Sequence, residues 1–95
     1  MNGVFELKRR LVELLGKAGA LEILYDLLDG ERRFKDFEGP TETKTKRLHE
    51  LREAGLIEPV FKNPAKKERL VFHYALTEKG RKLVEGLESL LSRMN

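Results

Sequence analysis

The sequence contains no cysteine. That one absence excludes disulfides, thiolate zinc sites and thiol redox sensing, and it fits a cytoplasmic protein. Tryptophan and glutamine are missing too, while lysine, arginine and glutamate abound, a bias typical of thermophile proteins. No apolar run approaches the ~18 residues that a membrane span requires, and the N-terminal MNGVFELKRR lacks a signal-peptide core. Only two histidines are present, His49 and His73, and neither has a Cys or His partner at ligand spacing, so no metal site is expected. No glycine-rich phosphate loop, nucleophile–base pair or carboxylate dyad can be found. The chain is therefore expected to be no enzyme and to need no cofactor.

What is present suits one globular domain over residues 1–95, with 40% hydrophobic and 37% charged residues. A chain of this length buries roughly 60–70% of its unfolded surface. The net charge of +3 is modest, but its distribution is uneven. Between Lys62 and Arg69 stand Lys62, Lys66, Lys67 and Arg69 against Glu68 alone, a local excess equal to that of the whole chain.

Hydrophobic spacing sets the order of elements. Val4 to Leu15 puts Leu7, Leu11 and Leu14 on one helical stripe, widened by Val4, Val12 and Leu15. After Gly16 and Gly19, a second helix runs from Ala20 to Asp29. Glu31 to Phe34 is a connection with room for one strand-like pairing. Phe34 and Phe37, three apart, form a short helical turn that Gly39-Pro40 ends, leaving Thr41 to cap the next helix.

That helix, 41–54, carries Leu48 and Leu51 underneath and stops at Ala54-Gly55 with a left-handed cap. Its N-terminal half holds Lys44, Lys46 and Arg47 among Thr41, Thr43 and Thr45. Cations suit phosphates and short hydroxyls suit base edges, which is what a helix entering a DNA major groove needs. Ile57 to Phe61 and Leu70 to Leu76 then read as a hairpin with a basic tip. Pro59, lacking a ladder donor, marks an edge strand. Thr77 caps a last helix that runs to about Arg93. The expected fold is mainly α with a small β-hairpin, in the order helix, helix, short helix, helix, hairpin, helix.

Three segments carry a resemblance. Glu22 to Phe34 (EILYDLLDGERRF), Leu48 to Ile57 (LHELREAGLI) and Tyr74 to Gly80 (YALTEKG) resemble, in order, three parts of a winged helix-turn-helix transcriptional regulator. These are the second helix and turn, the recognition-helix exit and the junction of strand with last helix. The pattern is most like the HxlR type and shares features with ArsR, PadR and MarR relatives. The chain departs from it in four ways, the first being that the tryptophan such regulators often carry before the second helix has no counterpart, Gly19 lying near that place. The segment Phe34 to Thr41 is about a turn short, Lys44 falls on the Leu48–Leu51 stripe where an apolar residue is usual, and the HxlR-type cysteine sensor is missing.

The resemblance implies double-stranded DNA as partner, bound by a homodimer acting as a repressor. It carries base-proximal roles onto Thr43 and Arg47 and phosphate contacts onto Thr41 and Lys46, with Lys44 and His49 on the same helix. The wing residues Lys62, Lys66, Lys67 and Arg69 would hold the flanking backbone or minor groove. Apolar residues beyond one core's needs, Phe5, Val12, Leu15, Val84, Leu87, Leu91 and Met94, point to a dimer interface made by the first and last helices. Glu42, Glu50 and Glu53 on the recognition helix weigh towards the alternatives, a protein-interaction module or a non-specific architectural DNA binder. The residues name no operator and no small-molecule effector.

Overall fold

Ile23, Leu24 and Leu27 recur at helical spacing and, with Ala20, are at most 4% exposed. Their helix, α2 (Ala20–Leu28), is the centre of the core in the computed structural model, which describes residues 3–62 and 71–94. Before it runs α1 (Gly3–Leu15). After it come a 3-10 turn (Phe34–Asp36), α3 (Thr41–Glu53), β1 (Ile57–Lys62), β2 (Val71–Leu76) and α4 (Glu78–Arg93). This is the α+β order expected from the spacing, and it matches the winged-helix arrangement that the resemblance implies.

β1 and β2 pair antiparallel, from Ile57 opposite Leu76 to Lys62 opposite Val71. On the other side of β2, Tyr74 exchanges both backbone hydrogen bonds with Arg32, at 2.8 and 3.1 Å. Tyr74 thus turns its N–H and C=O away from β1. Pro59, opposite it, stands at a non-hydrogen-bonded position, and its missing N–H leaves no gap in the ladder. Edge-to-face contacts then run along one face of the hairpin, Phe61 on Phe72 and Phe72 on Tyr74.

The exit of α3 is a Schellman motif. Gly55, at φ 79°, donates to the Arg52 carbonyl at 2.9 Å, and Leu56 donates to that of Leu51 at 3.0 Å. Leu51 and Leu56, the hydrophobic pair of the motif, are both fully buried. Thr77 caps α4 as expected, accepting from the Gly80 N–H at 3.0 Å, and its hydroxyl donates to the Gly55 carbonyl at 2.6 Å. One threonine therefore ties the end of α3 to the start of α4. Gly80 is required here, since a Cβ built on it would collide with the Leu56 carbonyl oxygen.

Two expectations are corrected. Thr41 is the first residue of α3 rather than its cap; extended Pro40 takes the cap position, without a side-chain hydrogen bond, because left-handed Gly39 turns the chain one residue earlier. Val84 belongs to the core and not to an outer apolar face: four residues after Gly80, it lies on the inward side of α4 and is fully buried. Leu15 and Leu87 are half-buried, Leu15 against the core. Phe5, Val12, Leu91 and Met94 remain at least half exposed. The radius of gyration is 14.8 Å, against about 12 Å for a compact domain of this length.

Candidate nucleic-acid interface

The orientation of α3 follows from what it buries. Leu48 and Leu51 are at most 2% exposed, and Lys44, one turn before Leu48, is 9% exposed. Its ammonium donates to the carbonyls of Phe37 (2.9 Å) and Phe34 (3.3 Å) and lies 4.5 Å from the Phe34 ring centroid. The cation satisfies two carbonyls of the short turn and pins that turn to α3. The expectation that Lys44 contacts DNA is corrected: a side chain on the buried stripe, held by two backbone acceptors, does not reach the outer surface.

Two flanks border the buried stripe. On one, Arg47 donates through Nε to the Ala18 carbonyl at 2.8 Å and through a terminal nitrogen to Glu50 at 2.6 Å. Glu50 accepts from Lys17 at 2.8 Å with its other oxygen. The Lys17 hydrogen bond, helped by Arg47, holds the Glu50 carboxyl below the usual glutamate range against a smaller opposing effect of burial. This clamp joins the α1–α2 junction to α3, and Thr43, four residues before Arg47, shares its flank. Arg47 is half-buried and engaged on this side. Its place was open to sequence reasoning, because it stands three residues after Lys44 and four before Leu51, next to the buried stripe.

The face turned fully outward carries Glu42, Lys46, His49 and Glu53, at i, i+4, i+7 and i+11, all exposed. His49 and Glu53 approach to 4.0 Å, a pair that is ionic only when the imidazole is protonated. Exposed Thr41, Thr45 and Arg52 border this face on the hairpin side, where Arg52 lies close enough to Tyr74 to act on its phenol, although burial dominates and pushes that phenol up. The Thr45 hydroxyl donates to the Thr41 carbonyl at 2.8 Å. Of the residues expected on the reading face, Thr41, Lys46 and His49 are thus exposed together. Thr45 and Arg52 are additions that continuing the helical period would have found.

Lys62 ends β1, and its side chain lies outside the described residues, as do Lys66, Lys67 and Arg69. His73, on β2, is half-buried. Among the described residues no group of His, Asp and Glu could hold a metal ion, and no helix is long and apolar enough to cross a membrane. An open groove of about 780 Å³ runs between α1 and the second half of α3, with Leu7, Leu11, Leu14 and Ala54 among its lining residues. The arrangement offers a convex polar helix face set on a buried frame, suited to docking into a groove.

Comparison with known proteins agrees with this geometry. The model of the HxlR-like helix-turn-helix family matches residues 14–94. The reduced form of the transcriptional regulator YodB from B. subtilis is 26% identical, with 97% of this chain and 89% of that one covered at a TM-score of 0.75. A transcriptional regulator of the MarR family from Enterococcus faecalis V583 is 24% identical, with 97% and 84% covered and a TM-score of 0.74. Rv0081 of M. tuberculosis shares the fold at 17% identity, with 99% and 94% covered and a TM-score of 0.78. No curated protein gives a significant match to the sequence.

Proposed function

This chain belongs to the HxlR-like helix-turn-helix family of DNA-binding transcriptional regulators, and on that premise we propose that it is a homodimeric repressor that reads duplex DNA with α3. The observation that carries the proposal is the outward face of α3, polar and exposed, on a helix held from behind by Lys44, Leu48 and Leu51. Recognition helices contact base edges with their N-terminal residues. Glu42 and Thr45 occupy that position, Thr41 and Lys46 hold phosphates beside them, and His49 follows one turn later. Arg47 and Thr43 act from the flank, where Arg47 sets the angle of α3 against the α1–α2 junction.

The basic segment 62–69, with Lys62, Lys66, Lys67 and Arg69, supplies a wing on the flanking backbone or minor groove, contributing affinity and salt dependence more than sequence choice. Residues 1–95 act as one domain. Phe5 and Val12 on α1, with Leu91 and Met94 on and just after α4, form the centre of a two-fold interface that Leu15 and Leu87 border. Such a dimer sets two recognition helices about one DNA turn, ~34 Å, apart. Repression by occluding a promoter needs nothing beyond this binding.

A second reading is a winged helix that docks on another protein. It is favoured by one observation, the carboxylates of Glu42 and Glu53 on the outward face of α3. Charge reversal separates the two. Lys66→Glu with Lys67→Glu, measured by gel shift on duplex DNA, abolishes binding if the wing grips phosphate. A mobility unchanged from that of the unsubstituted protein contradicts the wing's role. No shift even with the unsubstituted protein at low salt contradicts DNA binding and favours the protein-docking reading.

A further inference from the structure

The three carboxylates exposed or half-exposed along α3 are not equivalent. Glu50 is neutralised by Lys17 and Arg47, and Glu53 faces His49. Glu42 takes part in no hydrogen bond or ion pair among the described residues, although Lys46 follows it at the i+4 spacing that pairs Glu78 with Lys82 in α4. It stands in the first turn of α3, exposed, on the face that the proposed function sets against the base pairs.

A glutamate in the first turn of a helix favours the helix through the dipole, which accounts for its position in sequence. It does not make the residue compatible with DNA. An ionised carboxylate has acceptors only. Phosphate oxygens repel it, and so do the N7 and O6 acceptors of guanine and the O4 of thymine. Adenine offers a donor at N6, but beside the N7 acceptor, a pattern that an amide matches and a carboxylate does not. Cytosine offers the N4 amino donor. Of the four bases, it is the one whose major-groove edge accepts an unpaired carboxylate.

We propose that Glu42 determines specificity, selecting cytosine by accepting a hydrogen bond from its N4 amino group. The inference rests on the reading that α3 enters the major groove. It turns the acidic residue that weighs against DNA binding into the residue that chooses among sequences. Lys46, one turn later and likewise unpaired among the described residues, holds phosphate at the groove edge, so the two side chains do not neutralise each other.

The test is selection from a randomised duplex library with the unsubstituted protein and with Glu42→Gln, followed by anisotropy titration of single-base variants of the selected site at fixed salt. The unsubstituted protein is expected to select a fixed cytosine in each half-site, and replacing that base pair to weaken binding about 5- to 150-fold, as a mismatched pair in a specific site does. Glu42→Gln is expected to lose that discrimination or move it to adenine, with helix content by circular dichroism unchanged. Selection of the same base with the same penalty by Glu42→Gln overturns the proposal and leaves Glu42 as a helix-dipole residue. If the unsubstituted protein enriches no duplex and binds none at low salt, the DNA reading itself fails, which is a different result.

Discussion

The Lys44 ammonium lies 2.9 Å from the Phe37 carbonyl oxygen, inside the fold and beneath the face that Lys46 occupies. Two lysines two residues apart thus do opposite jobs, one binding the helix to its frame and one projecting from it. Lys44→Met keeps the apolar stem but leaves the Phe34 and Phe37 carbonyls without their donor. It is expected to lower stability by about 1–3 kcal/mol and to leave the salt dependence of DNA binding unchanged. Lys46→Met is expected to change stability by less than about 0.5 kcal/mol and to reduce the salt slope by about one. Urea unfolding and anisotropy titration on both variants check this.

Gly80 and Gly86 lie on the same helix and are expected to respond oppositely to alanine. A Cβ at Gly80 meets the Leu56 carbonyl, whereas one at Gly86 meets nothing within 4 Å. Gly80→Ala is expected to cost about 1–3 kcal/mol or more, as overpacking against backbone does. Gly86→Ala, in the helix interior, is expected to stabilise by about 0.5–1 kcal/mol. Thermal unfolding midpoints should therefore move in opposite directions.

How much of this was legible in the sequence depends on what each residue's neighbours decide. The period of Ile23, Leu24 and Leu27, the Gly55 stop and the Thr77 cap are local signals, and the structure follows them. The Arg32–Tyr74 bridge was expected as a pairing but not its partner, because the two are 42 positions apart. Lys44 was visible as a cation on an apolar stripe, yet nothing local says that the Phe34 and Phe37 carbonyls are there to receive it. Val84 reads from the sequence as surplus for a similar reason. Periodicity locates an apolar face and leaves open whether the chain's own core or another chain covers it.

The Glu50 clamp makes stability depend on pH in a defined window. Because the folded carboxyl sits below its ordinary range, the clamp contributes fully above the unfolded glutamate value of about 4.3. The contribution is lost as pH falls through the lower folded value. Glu50→Gln is expected to be less stable than the unsubstituted protein at pH 7 and to approach it below that window. Urea midpoints taken stepwise from pH 7 down through the carboxylate range follow the difference. A gap that stays constant would show that the clamp contributes nothing through charge.

The exposed apolar side chains of α1 and the end of α4, Val12 and Met94 among them, are where the proposed two-fold interface would form. Light scattering at tens of micromolar is expected to give twice the 11.0 kDa chain mass. Val12→Glu with Met94→Glu is expected to halve that value without unfolding the protein, since both residues are exposed. A monomeric mass for the unsubstituted chain would contradict the two-fold interface.

Sequence-dependent duplex binding through α3 is tested most directly by fluorescence anisotropy on a ~30 bp duplex from the region upstream of the protein's own gene, competed with a scrambled duplex. Measured at about 50 and 200 mM salt, binding that uses six to ten phosphates is expected to weaken by roughly 10³–10⁵, and the scrambled duplex is expected not to displace the labelled one. Equal competition by the scrambled duplex would contradict sequence reading at that site, and absence of binding at 50 mM salt would contradict the account as a whole.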